Sequence, residues 1–411
     1  MTATTDTTKG TTDDQMKTDH SRATTDAAHT HGGGTVPESS RADRATSFEL
    51  ADFAVPTGRE EDWRFSPVDR LQGFFAGALD GASPDVTVEA ADGVLVERVG
   101  REDSRLGQVG APGDRAAAAA WTSFTEALVV TVPRGHAAGA PTMVTVSGTG
   151  AQGVAAQHVL VRAEESSEAI VVLDHRGSAS LAQTVEIDVE ANARLTLVSV
   201  QDWEDGALHL SSHRSRLGQD ANLKHIVVTL GGDVVRVTPD ASLGAPGGNV
   251  EMLGLYFTDA GQHQEHRLFV DHVAPNCVSR VTYKGALQGQ DAHSVWIGDV
   301  LIRAAAEGTD TYELNRNLVL TEGARADSVP NLEIETGEIE GAGHASATGR
   351  FDDEQLFYLR SRGVPEAEAR RLVVRGFFAE LIAQIGVPVV SERLMKAIEA
   401  ELDRTMEHAT A

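Results

Sequence analysis

The spacing of apolar and polar residues changes period once along this chain of 411 residues. From about 140 to 345, short runs rich in Val, Ile, Leu and Thr alternate with Gly, Asn and Asp turns, and no amphipathic helix pattern intervenes. Three strand starts read alike: Ala193-Arg-Leu-Thr-Leu-Val, Ala221-Asn-Leu-Lys-His-Ile-Val-Val and Gly248-Asn-Val-Glu-Met-Leu-Gly-Leu. Their first apolar residues, Leu195, Leu223 and Val250, follow one another at 28 and 27 positions. A repeat of that length points to stacked coils, the parallel β-helix kind of solenoid, although a β-sandwich gives similar texture.

Beyond 350 the period becomes about 3.6. Asp352 or Asp353 can cap a first helix, which carries Leu356, Phe357 and Leu359 and stops at Gly363. Pro365 suits the first turn of a second helix, with Glu366 and Glu368 near the positive end of its dipole. Leu372, Val373, Phe377, Leu381 and Ile385 fall on one side of it, and Val387-Pro388 ends it. A third helix is expected from Ser391, with Leu394, Ile398, Leu402 and Met406 at intervals of four. That stripe is narrow, so part of the 365–406 pair is expected to stay open to a partner, with Phe377, Leu394, Ile398 and Leu402 as contacts. Packing of both helices on the solenoid is the alternative.

Ahead of the solenoid, residues 46–139 read as a small α/β region: strands at Val86-Thr-Val-Glu and Val94-Leu-Val-Glu, an Ala-rich helix over 115–127, and Trp63 and Phe65 as anchors. Residues 1–45 hold twelve Thr and no Leu, Ile, Phe, Trp or Tyr. Nothing there offsets the entropy of ordering, so a disordered tail is expected, with His20, His29 and His31 incidental to it. The divisions are therefore 1–45 (tail), 46–139, 140–350 (β-helix) and 351–411 (helical domain). The helices are expected to cap one end of the solenoid and the 46–135 region to lie beside the other.

The net charge of −26, from 61 acidic and 35 basic side chains, argues against a nucleic-acid partner. No apolar run approaches the ~20 residues of a membrane helix, and none near the start resembles a secretion signal, so a cytoplasmic location is expected. No GxxxxGK[ST] loop is present, so the chain itself should not hydrolyse ATP. A single cysteine, Cys277, cannot make a self-contained Cys-ligated iron–sulfur cluster, which usually needs four thiolates.

His344 is the first candidate for chemistry. It lies among Gly341, Gly343 and Gly349, which let the backbone turn tightly and another chain approach, and neutral imidazole binds iron and zinc. A histidine hydrogen-bonded at a strand end is the structural alternative. Glu333 and Glu335 share a strand face and are placed to act with it, unless they are merely solvated. Cys277 is a weaker candidate, readable as a small residue packed in a turn. His263, His266 and His272 do not form a joint site: 263 and 266 face opposite ways on a strand, and 266 and 272 lie ~20 Å apart.

Several stretches together resemble the SufB–SufD family of iron–sulfur cluster assembly scaffolds: Pro330-Asn-Leu-Glu-Ile334, Gly343-His-Ala-Ser-Ala-Thr-Gly349, Asp353-Glu-Gln-Leu-Phe-Tyr-Leu-Arg-Ser-Arg-Gly363 and Glu368-Ala-Arg-Arg-Leu-Val-Val-Arg-Gly-Phe377. Pro56-Thr-Gly-Arg-Glu-Glu-Asp-Trp-Arg-Phe-Ser-Pro67 and His272-Val-Ala-Pro-Asn276 extend the likeness. The resemblance implies a right-handed parallel β-helix and a non-catalytic scaffold. It implies pairing with a SufB-like paralogue, docking of a SufC-like ABC ATPase on the terminal helices, and a transient iron–sulfur cluster shared with SufB near His344. Flavin is associated with such complexes, and ATP enters only through SufC. SufB-like chains carry a cysteine where this one has Asn315, which makes it most similar to SufD. A β-helix polysaccharide lyase or glycosidase, and a SufB-like homodimer, are the rival readings.

Overall fold

The structure, a computed structural model, describes residues 44–351 and 353–409, without the side chains of 151, 353–356, 367, 401 and 403–409. The tail read over 1–45, with its three histidines, thus lies outside the described residues except for Arg44 and Ala45, as does the side chain of Met406.

A short helix α1 (Gln72–Phe75) precedes strands β1 (Asp85–Glu89) and β2 (Leu95–Gly100), helix α2 (Arg115–Ser123) and β3 (Glu126–Val132). The Asp114 carboxylate caps α2 by accepting from the Ala117 amide at 2.8 Å. The helix stops four residues earlier than its alanine content suggested, because Val129-Val-Thr-Val132 favours extended backbone.

Two long strands follow, β4 (Thr142–Ala163) and β5 (Glu168–Val189), and β5 feeds two parallel ladders. One ladder continues through β6 (Arg194–Trp203), β8 (Asn222–Thr229), β10 (Asn249–Thr258), β12 (Val278–Leu287), β14 (Asp310–Val319) and β16 (Gly341–Arg350). The other runs through β7 (Leu208–Leu217), β9 (Val234–Leu243), β11 (His263–His272), β13 (His293–Ile302) and β15 (Arg325–Ile334). Even and odd strands alternate along the chain, so each pair makes one coil of a β-solenoid of about 8 turns. The repeat is the one written in the sequence: Leu195 pairs with Leu223, and Leu223 with Val250. The turns ahead of β6, β8, β10, β12 and β14 pass through left-handed backbone, at Asn192, Asp220, Gly247, Asn276 and Gly308. Asn, Asp and Gly tolerate that conformation best, which is why they punctuate the repeat.

Inward-facing residues of both ladders, among them Leu195, Leu223, Val250, Val237 and Val270, stack into a continuous core. Polar side chains interrupt it. His175, His209, His213, His225 and His266 are fully buried, and burial pulls each imidazole below its usual pKa, to about 4 for His225 and about 3 for His266. Two tyrosines interlock across one coil boundary: Tyr283 of β12 lies over Gly254 of β10, and Tyr256 of β10 over Gly285 of β12. A Cβ on Gly254 or Gly285 would meet the facing ring at 1.9 or 1.8 Å.

Three helices close the chain: α3 (Asp353–Ser361), α4 (Glu366–Ile385) and α5 (Pro388–Ala409). Helix α5 opens at Pro388 rather than after Ser391, since proline's missing amide costs nothing in a first turn. The helices do not cap an end. They lie along the flank of the even ladder, where Val374, Phe378, Leu381, Ile382, Leu394, Ile398 and Leu402 pack on Val172, Val198, Ile226, Leu253 and Phe257. The even strands are thus buried on both faces. Arg393 reaches Asp174 and Asp202 at 2.5 Å each, and Lys284 reaches Glu380 at 2.9 Å.

This arrangement corrects the reading of the last helix. Leu394 and Ile398 are 0% exposed and Leu402 6%, so the stripe expected to face a partner is occupied by the chain's own sheet. On α4 the buried face runs through Val374, Phe378 and Ile382, leaving Phe377 half-buried and Leu372 exposed.

The amino-terminal region covers the opposite flank. Trp63 is buried edge-on to Phe75 (5.0 Å) beneath the Arg236 guanidinium, in a cluster with Ala182, Leu210 and Val234 of the odd ladder. Arg44 stacks on Phe269 and pairs with Asp299 at 2.6 Å. Both flanks are covered, but among the described residues β15 and β16 are each paired along one edge only.

Candidate functional site

The last coil, where that unpaired edge runs, holds His344. The histidine lies within β16, not at a strand end, and its register partner is Glu313 of β14. Residues 311, 313, 315 and 317 of β14 are buried while Tyr312 and Arg316 are exposed, so the odd positions face the solenoid interior. Parallel register carries that face onto Ala342, His344, Ser346 and Thr348 of β16. Among the described residues no further coil covers these four. His344, Ser346 and Thr348 are exposed although they continue an interior column.

Hydrogen bonds link this mouth to the interior. The Asn315 amide donates to the Tyr256 hydroxyl at 3.0 Å, and its carbonyl accepts from Asn317 Nδ2 at 2.8 Å and Ser328 Oγ at 2.7 Å. Ser346 Oγ donates to Ser328 Oγ at 2.7 Å, and Asn317 Nδ2 to Thr348 Oγ1 at 3.3 Å. The residue that stands where a ligand cysteine was sought is therefore fully buried and engaged on both sides of its amide.

Glu313 is the residue that sequence reasoning missed. Its side chain is 1% exposed, neither carboxyl oxygen has a hydrogen-bond partner, and burial with the nearby Asp299 carboxylate pushes its pKa up to about 8. The available signal was alternation in Thr311-Tyr-Glu-Leu-Asn-Arg-Asn317, which puts Glu313 on the same face as Asn315.

The other candidates are not brought to His344. Glu333 lies on β15 five positions from Ser328, whose hydroxyl faces the interior, so it faces the other way. Glu335 shares that outer face and accepts from the Ala304 amide. Cys277 sits in the turn before β12, two coils back and four residues along the strand. Strand geometry puts it about 16 Å from His344. Its thiol is buried against the carbonyls of Ala245 (3.4 Å) and Pro275 (3.6 Å), and burial raises its pKa, the setting of an inert thiol. His263 contacts His293 and Glu265, whereas His266 and His272 bond separately to Thr229 and Ser279.

A family model described as SUF system FeS cluster assembly, SufBD core domain, matches residues 145–377, which include Glu313, Asn315 and His344. An iron–sulfur cluster assembly SufBD family protein of Mycobacterium tuberculosis is 58% identical over 366 residues, 87% of this chain and 92% of that protein. Another, of Mycobacterium leprae, is 57% identical over 372 residues, 89% of this chain and 95% of that protein. A second SufBD family protein of M. tuberculosis is 28% identical over 219 residues, 53% of this chain and 26% of that protein. With the family model spanning more than half the chain and relatives aligned over most of it, the protein belongs to the SufBD family of iron–sulfur cluster assembly proteins.

Proposed function

We propose that the chain is a non-catalytic, SufD-like scaffold subunit. It pairs with a SufB-like paralogue through the β15–β16 end, so that a transient iron–sulfur cluster, its cargo, is built against His344. The observation that carries this reading is the uncovered last coil, which presents an inward-facing histidine and unpaired strand edges at one place. Replacement of the thiolate by a hydrogen-bonded Asn315 supports a role that relies on a partner for sulfur ligands. Two SufBD proteins of different sequence in M. tuberculosis are consistent with a paired paralogue.

In the same reading a SufC-like ATPase docks on the helical flank and drives motion at the assembly interface. With Leu394, Ile398 and Leu402 buried, the contact moves to Phe357 (75% exposed), Tyr358 (58%) and Leu372 (43%), beside half-buried Phe377. Any flavin associated with such complexes belongs, in this reading, to the assembled complex rather than to the cavity beside Trp63. That space holds about 270 Å³, below the ~300–1,000 Å³ of most small-molecule sites, and its Arg44, Arg236 and Arg267 are engaged by carboxylates.

Co-expression with a SufB-like paralogue and a SufC-like ATPase, followed by affinity purification, tests the proposal. All three chains should co-purify, and His344→Ala should leave the complex intact while lowering the iron and sulfide recovered and the maturation of iron–sulfur enzymes in cells. A His344→Ala chain that supports full maturation would sink the assignment.

A further inference from the structure

We propose that Glu313 and His344 together form a ferrous-iron site at the mouth of the solenoid, with the Glu313 carboxylate as its oxygen donor. The inference rests on the scaffold reading and adds to it a ligand inside this chain.

A carboxyl group with two unpartnered oxygens is rare in a protein interior, because desolvation is uncompensated. Here the surroundings are shaped to hold it. Gly298 of β13 leaves the space that Glu313 occupies: a Cβ on Gly298 would lie 2.7 Å from the Glu313 oxygen and 2.4 Å from the Trp296 ring. Leu or Met at 313 would fill the same volume without the desolvation cost, so packing alone does not account for an acid.

The register explains what the acid is near. Glu313 and His344 leave adjacent parallel strands on the same side, with Cα atoms ~4.8 Å apart, and among the described residues no further coil lies beyond His344. The flanking inward positions are small or short and polar, Ala342, Ser346 and Ser328, and in the proposed site an ion at the mouth takes the exposed imidazole first, with the Glu313 carboxyl swinging from its place beside Gly298 to join it. Ferrous iron accepts both donors. Binding transfers no electrons: the imidazole gives a nitrogen lone pair and the Glu313 carboxylate an oxygen lone pair, and any proton displaced passes to solvent. Among the described residues no three His, Cys, Asp or Glu side chains converge as a complete cage, so this chain offers two donors and leaves positions for sulfide or a partner's ligands.

Equilibrium dialysis of the purified full-length chain against Fe²⁺ under anaerobic conditions, with Co²⁺ absorption as a second readout, tests the site. Glu313→Gln and His344→Ala should each weaken binding at least tenfold, the double variant should be little worse than either, and Glu333→Gln, on the opposite face, should bind like wild type. If the Gln amide disturbs packing, Glu313→Met needs no hydrogen-bond partner and should fold yet show the same loss. Wild-type affinity in Glu313→Gln, or iron retention by wild type no greater than by the double variant, would overturn the proposal. Loss of binding in His344→Ala with normal binding in Glu313→Gln rejects Glu313 and keeps the scaffold reading. Normal enzyme maturation by His344→Ala rejects that reading whatever the dialysis shows.

Discussion

Truncating Leu394 to Ala separates packing from docking as the role of the last helix. The side chain is 0% exposed and sits among Val198, Ile226, Phe378 and Ile382. Losing three carbons there removes about 2.4 kcal/mol of transfer free energy at ~0.8 kcal/mol per methylene, and the cavity adds to it, within the ~2–5 kcal/mol span of Leu→Ala substitutions. Helix propensity rises slightly, so the loss falls on the contact between α5 and the sheet. That contact belongs to an apolar cluster separate from the solenoid interior, so the helical flank should loosen while the coils stay intact. Hydrogen exchange read by mass spectrometry should show α5 amides exchanging about 50-fold faster or more, at ~1.4 kcal/mol per factor of ten. Peptides from β6–β10 should change little. Leu372→Ala, at an exposed position, should stay within about threefold, in keeping with the ±0.5 kcal/mol of surface changes. Unchanged α5 exchange in Leu394→Ala, with ATPase binding abolished, would refute the packing assignment and restore the stripe as a docking surface.

Acid should destabilise the fold through its buried histidines. Above pH 6.5 both states are neutral. Below it the unfolded chain takes protons that folded His225 refuses until about pH 4, a loss of about 3 kcal/mol, so His225→Gln should show a shallower fall in thermal midpoint between pH 6.5 and 4. Asn315→Cys should lower the urea midpoint, because Tyr256, Asn317 and Ser328 lose a partner at roughly 1–3 kcal/mol per stranded group. Trp63→Ala should cost about 3–5 kcal/mol locally and open the 46–80 segment to limited proteolysis ahead of the solenoid.

The coil repeat was legible because the turns into β6, β8, β10, β12 and β14 each hold a left-handed residue, which leaves Asn, Asp or Gly as a visible mark roughly every 30 positions. His344 was singled out by its glycine neighbours and the family stretches around it, and the structure adds only its inward-facing place on β16. Where the helices would lie was not. An amphipathic stripe states that Leu394 and Ile398 must be covered, and says nothing about whether a sheet or another protein covers them. Glu333 and Glu335 could be read as sharing a face because parity along one strand is readable from sequence, whereas which parity faces inward depends on how strands stack. Glu313 between Tyr312 and Leu314 looks like an ordinary solvated acid until β14 is placed beneath β16.

The crossed tyrosines bear on how this solenoid can change over evolutionary time. Repeat proteins usually lengthen or shorten by duplicating or deleting a whole coil, since each coil touches only its neighbours. Tyr256 depends on a glycine one coil ahead, and Tyr283 on a glycine one coil behind. Inserting a coil between β10 and β12 would part each ring from the gap that accepts it, and deleting either coil would leave one ring facing a side chain. The two coils are therefore inherited as a pair. The adjacency of these two coils is fixed from the interior, while loops elsewhere remain free to vary.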